Sequence, residues 1–177
     1  MLATEVFARC FAETIDEEGG FSADPDDPGN WTGGSVGRGA CRGTKFGISA
    51  AAYPGLDIAS LTLEDAKAIY ARDYWAPIAG DKLPPALAML VFDAAVNDGV
   101  AEASRWLQAA VGVATDGVIG PLTLAALEAR REDLLGLCAT FQAARLAALP
   151  DDPRFLTGWR LRICRVALAA GGLLDAV

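Results

Sequence analysis

The chain has 177 residues, 53% of them hydrophobic, with a formal net charge of -8 and a pI near 4.5. That is apolar material for one domain with a sizeable core. The acidic balance excludes a nucleic-acid binder, which needs a basic face, and excludes adhesion to anionic lipid. Histidine is absent, which removes the commonest general base, the commonest metal ligand and every Ser-His triad. Acid–base chemistry must rest on Asp, Glu, Lys, Tyr or Cys.

The first predicted element is an amphipathic helix over residues 2–17. Leu2, Val6, Phe7, Cys10, Phe11, Thr14 and Ile15 recur at helical spacing, with Glu5, Arg9 and Glu13 on the other face. Gly19 and Gly20 supply its C-terminal cap. Charges inside the apolar pattern mark a helix of the folded domain rather than a signal peptide. From Phe21 to Thr44 the chain is rich in Gly, Pro, Asp and Ser, a long loop of the functional kind, with a short hairpin expected within 34–48.

Regular periodicity then resumes. In "LTLEDAKAIYARDYW", Thr62 and Asp65 form a capping box ahead of the stripe Ala66, Ile69, Tyr70 and Tyr74. Pro84-Pro85 opens a helix through Leu87, Leu90, Val91 and Ala94 to about Asn97. Further helices are expected over about 100–111, 121–130, 132–148 and 153–170, the first stopping at Gly112 and the last at Gly171-Gly172. The expected class is all-α, with at most a short β-hairpin.

Cys10, Cys41, Cys138 and Cys164 include no CxxC pair, so no zinc site is expected. Cys10, Cys138 and Cys164 fall within helical stripes and read as buried thiols, while Cys41 lies in the loop. No uncharged apolar run approaches the ~18 residues of a membrane span.

Six carboxylates lie between Asp16 and Asp27 in "DEEGGFSADPDDPGN". Glu18 ends a helix, where the dipole is negative, and Asp16 and Glu17 add like charge beside it. Both effects raise a carboxyl pKa, which suits a general acid that cleaves a glycosidic bond. Such chemistry normally uses a second carboxylate across a cleft, and Asp24, Asp26 and Asp27 are the candidates. Asp-Pro and Asp-Asp-Pro are also ordinary turn formers, and acid clusters are ordinarily solvated. A calcium loop is disfavoured, because "DPDDPGN" lacks the twelve-residue pattern and its terminal Glu.

Glu18-Gly19-Gly20-Phe21, then Asp27-Pro28-Gly29, then "GTKFGIS" at 43–49, resemble glycoside hydrolase family 108. The likeness continues in "LTLEDAKAIYARDYW", in "VFDAAVNDG" at 91–99 and in Gly158-Trp159. It implies a lysozyme-like helical fold and N-acetylmuramidase activity on peptidoglycan glycan strands, without metal or cofactor. Carried over residue by residue, Glu18 is the general acid. By a looser likeness to phage-type lysozymes, Asp27 orients or activates a water and Thr44 helps hold it. "NWTGGSVGRGACRG" intervenes before the Thr motif, which makes Thr32 a competitor to Thr44.

A second stretch, "WLQAAVGVATDGVIGPLTLAAL" at 106–127, resembles the core of small peptidoglycan-binding modules. Its Asp116-Gly117 and Gly120-Pro121 are equally good turn chemistry in any protein. The expected organisation is a lysozyme-like catalytic region over 1–100 and a helical peptidoglycan-binding-like region over 101–177 packed on it. Sugars stack on aromatic faces and hydrogen-bond through their polar groups. Trp31, Tyr74, Trp75 and Asn97 are the candidates for that work, with core packing the alternative for Tyr74 and helix capping for Asn97. Trp106 and Trp159 read as core, and Arg160, Arg162 and Arg165 as a solvated basic rim.

Taken together these readings describe a monomeric endolysin-like muramidase, made without a signal peptide and released to the wall through a holin or secretion partner. The rivals are a lytic transglycosylase and a non-catalytic wall-binding, phage-structural or secretion-accessory protein.

Overall fold

The computed structural model describes residues 2–15 and 20–174. The expected catalytic acid Glu18 lies outside the described residues, as do its neighbours Asp16, Glu17 and Gly19. In chain order the elements are α1 (Ala3–Thr14), β1 (Thr44–Lys45), β2 (Ile48–Ser49), α2 (Leu63–Tyr70), α3 (Pro85–Asp98), α4 (Val100–Val111), α5 (Pro121–Glu128), α6 (Leu134–Ala147) and α7 (Leu156–Gly171). The fold is all-α, with one short antiparallel hairpin among the described residues. Two compact units divide the chain, Met1–Thr14 with Ala71–Val177 and Ile15–Tyr70. This division does not follow residue 100, because α3 and α4–α7 share a unit.

The helical unit is organised around α3. Every residue from Ala86 to Ala95 is buried, and a helix apolar on all sides must be enclosed by others. It packs against α1, α4, α6 and α7. Pro85 starts it at the first helical position, where the missing N–H is no loss. The amphipathic α4 turns Ala103, Leu107, Ala110 and Val111 inward and stops at Gly112, which is left-handed with φ 81°. The helix α1 buries Val6, Cys10, Phe11 and Thr14. Leu2 falls outside its stripe: it precedes the helix, donates its N–H to Glu5 and leaves its side chain 69% exposed.

All four cysteines are free, and Cys10 and Cys138 are buried as expected. Burial pushes their thiols up to about 12 and about 11, respectively. Cys164 is exposed instead, because the inward face of α7 is set by Ile163, Val166 and Ala170.

The second unit holds little regular structure beyond α2. Thr62 and Asp65 make the expected capping box, each receiving the other's backbone N–H at 2.9 and 3.1 Å. The Asp65 carboxylate also accepts the Thr62 hydroxyl at 2.6 Å, and that bond first, then the one from the Thr62 N–H, lowers its carboxyl from the ordinary value. The β1–β2 hairpin closes through Phe46 and Gly47, both at positive φ (51° and 74°). Two left-handed residues in a two-residue loop match the twist of paired strands, which fits Gly at position 47. Tyr70 donates its hydroxyl to the Phe46 carbonyl at 3.0 Å, holding the strained residue in place.

Candidate functional site

The acidic segment folds as consecutive capped turns. Asp24 accepts the Asp26 N–H at 3.0 Å, and Asp27 accepts the Gly29 N–H at 2.8 Å. Asp27 thereby caps a single 3-10 turn, Pro28–Asn30, with Pro28 at its first position. A short carboxylate ahead of Pro-Gly is suited to this role. Asp24, Asp26 and Asp27 are all exposed.

Asn30 is the centre of this unit and was not singled out in the sequence. It is completely buried. Its amide donates to the Asp24 carbonyl at 3.0 Å and accepts the Thr44 hydroxyl at 2.7 Å. Its backbone carbonyl receives the N–H groups of Arg42 and Gly43 at 2.8 and 3.1 Å. Thr44 is thus brought against the turn that Asp27 caps.

The long insertion between them returns on itself. Trp31 and Cys41 form an isolated antiparallel bridge, and Thr32 and Gly33 donate to the carbonyls of Ala40 and Arg38 at 3.0 Å each. The excursion therefore leaves the relation between Asn30 and Thr44 intact. Thr32 sits inside it, with its hydroxyl accepting the Ala40 N–H at 3.0 Å. Trp31 donates its indole N–H to the Pro25 carbonyl at 2.8 Å, pinning the excursion to the acidic turn while the residue stays partly exposed. Gly43 is required for the return: at φ 83° an added Cβ would stand 2.4 Å from the Ser22 carbonyl oxygen. Ser22 and Thr44 exchange both backbone hydrogen bonds, at 2.9 and 2.7 Å.

The remaining candidates belong to the helical unit. Trp75 is a core residue there. It is 5% exposed, donates its indole N–H to Asp81 at 2.8 Å, and meets Phe7 and Phe92 at 5.3 and 5.6 Å between ring centroids. Neither face nor polar edge is open to a sugar, which corrects its assignment as a stacking platform. It ends a five-residue π-helix, Ala71–Trp75, in which Tyr74 is half-buried.

Asn97 is exposed and donates back to the Asp93 carbonyl at 2.7 Å. With Asp98, Arg162 and Trp159 it rims a pocket of about 250 Å³. Trp159 is half-buried on that rim rather than in the core. Asp98 accepts Arg145 Nε at 2.7 Å, yet its carboxyl stands above the usual range. Burial raises it, the facing guanidinium pulls it down, and burial prevails.

Beneath the pocket lies Asp93, with no exposed surface. It accepts Arg145 Nη1 at 2.7 Å on one oxygen, and Arg162 Nε and Nη2 at 3.1 and 2.6 Å on the other. Arg162 is therefore no part of a solvated rim. The sequence did carry a signal for this cluster, since Asp93 interrupts an otherwise apolar helix and a charge there must find partners.

The residues at 106–127 that resemble a peptidoglycan-binding core bond to one another. Gln108, 1% exposed, donates to Asp116 at 2.6 Å and to the Val118 carbonyl at 3.0 Å, and accepts the Gly117 N–H at 2.8 Å. Thr123 is buried beside it. These motif residues join α4 to α5. Among the described residues, no group of three or more Cys, Asp or Glu is arranged to hold a metal ion.

Residues 11–99 match the family model described as glycosyl hydrolase 108. Residues 102–164 match one described as a predicted peptidoglycan domain. Among solved structures, that of Brucella abortus SagA superposes with a TM-score of 0.74, at 32% identity over 97% of each chain. No curated protein matches.

Proposed function

Because the chain belongs to the glycosyl hydrolase 108 family, we propose that it is an N-acetylmuramidase, cleaving the β-1,4 bond between N-acetylmuramic acid and N-acetylglucosamine in peptidoglycan. The family makes it a glycoside hydrolase, and the segment at 102–164 directs it to peptidoglycan. In this reading Glu18 protonates the leaving oxygen, and Asp27 with Thr44 orients the attacking water. Trp31 presents an indole face to a sugar ring, and Asn97 a carbonyl to an acetamido N–H. Among the described residues no helix is long and apolar enough to cross a membrane.

The observation that carries this reading is the hydrogen bond from Thr44 to Asn30. It ties the Thr of the "GTKFGIS" motif to the turn capped by Asp27, so two residues assigned by resemblance share one built cluster despite the insertion. The test is turbidity loss of purified peptidoglycan with wild type and Glu18→Gln, with mass spectrometry of the products. Reducing muramic ends from wild type alone, with wall sedimentation unchanged in the variant, are the expected result. Anhydro ends would make the protein a transglycosylase. Intact wall from both proteins would leave a binding role.

A further inference from the structure

The last carbonyls of a helix have no partner within it. Thr14, the final residue of α1, passes its carbonyl to Arg162 Nη2 at 2.8 Å, across 148 positions of sequence. A cation suits this end of a helix. The same guanidinium is held by two bonds to Asp93 of α3. Asp93 is held in turn by Arg145 of α6, which also binds Asp98. Two acids and two arginines therefore join α1, α3, α6 and α7 in a formally neutral cluster. Asp93 and Arg145 are sealed from solvent, and 28% of the Arg162 side chain is exposed. The hydrolytic chemistry proposed above makes no use of it.

We propose that Arg162 is a positioning residue, fixing the C-terminal end of α1 and so the point from which the chain departs toward Glu18, a few residues further on. This rests on Glu18 being the acid. It also changes the standing of the C-terminal segment. Arg145 and Arg162 lie within 102–164, whereas Thr14, Asp93 and Asp98 lie within 11–99. The segment matched as a peptidoglycan domain thus completes the hydrolytic region and is no detachable wall anchor.

Full-length Arg162→Ala and Arg162→Lys are compared with wild type on a soluble glycan oligosaccharide, alongside amide hydrogen exchange. Arg162→Ala should lose exchange protection in the last turn of α1 while α4 and α5 keep theirs. Its kcat should fall on the order of 10²-fold, the effect of a misplacement of about 1 Å, with KM changed by less than about twofold because ground-state binding is untouched. Arg162→Lys, which still offers a donor to the Thr14 carbonyl, should recover part of both. A folded Arg162→Ala with wild-type kcat, or with unchanged protection of α1, overturns the proposal. If Arg162→Ala does not fold, the same two criteria applied to Arg162→Lys decide it, and full wild-type values there overturn it. Should Glu18→Gln prove as active as wild type, the assignment of the acid fails. The exchange result then still decides whether Arg162 clamps α1.

Discussion

Two side chains with no exposed surface, Asn30 and Asp93, anchor the two units, and they do so by different means. Asn30 is a neutral amide among loops. Its own amide and carbonyl take up backbone and side-chain groups that helix or sheet would otherwise satisfy. Asp93 sits in a helix whose backbone bonds are already made, so its carboxylate is free to bind side chains from two other helices. Irregular backbone is stabilised through hydrogen-bond satisfaction. Packed helices take apolar burial as their main term and use one ionic cluster to join their ends. The cluster around Asn30 leaves polar and aromatic edges accessible, which is what a sugar-binding surface needs. The one around Asp93 seals Asp93 and Arg145 from solvent and leaves Asp98 and Arg162 partly exposed.

The contrast is broken most forcefully at Asp93. Asp93→Ala leaves the buried Arg145, 2% exposed, with only its bond to Asp98, and takes from Arg162 its carboxylate partner. The expected loss is about 3–5 kcal/mol of unfolding free energy, the usual effect of removing one partner from a buried pair. Urea denaturation measures it, and a loss below about 1 kcal/mol would mean that the pair behaves as a surface salt bridge.

Asn30→Ala is expected to act more mildly, costing about 2 kcal/mol through two lost hydrogen bonds. Its effect on turnover should exceed its effect on stability, because Thr44 loses its partner. Equal turnover in variant and wild type would separate Thr44 from the chemistry.

The smallest effect is a pH dependence at Asp98. Its folded-state carboxyl lies above its unfolded value because of burial, so the folded protein holds the extra proton in the window between the two. Its contribution to stability is therefore most favourable below the unfolded value, and declines as pH rises through the folded one. Asp98→Asn removes this slope. The stability of the variant relative to wild type should rise with pH across that window and then level off, as thermal melts at successive pH values would show. A constant difference would place Asp98 at its ordinary value.

Much of the fold was legible because helices advertise themselves locally. The stripe of α1, the capping box at Thr62 and Asp65, the proline start of α3 and the glycine stop of α4 are read within a few residues. The errors fell where local pattern is ambiguous. Leu2 and Cys164 match a helical stripe, yet an apolar residue at the stripe's edge faces whichever side packing leaves it. Trp75 sits at a helix end, as a cleft residue could, and only the Phe7–Phe92 pocket reveals it as core. Trp159 errs in the other direction, since its partner is the open rim of a pocket.

For the candidate site, residue types and order came from sequence and the connections did not. "GTKFGIS" marks Thr44 by resemblance, but its bond to Asn30 depends on the insertion closing through Trp31 and Cys41. Nothing in the neighbourhood of Asn30 sets it apart from an ordinary turn asparagine. Asp93 announced that a buried charge would need partners, without saying which. What sequence alone determined about this protein is most of its helices, several of their caps and the family. Each of these follows from short-range sterics, periodicity or motif. Tertiary structure decided that Arg162 of the last helix reaches the end of the first, and that Thr44 returns to Asn30. Those hydrogen bonds form between groups far apart in the chain, and only packing brings them within reach.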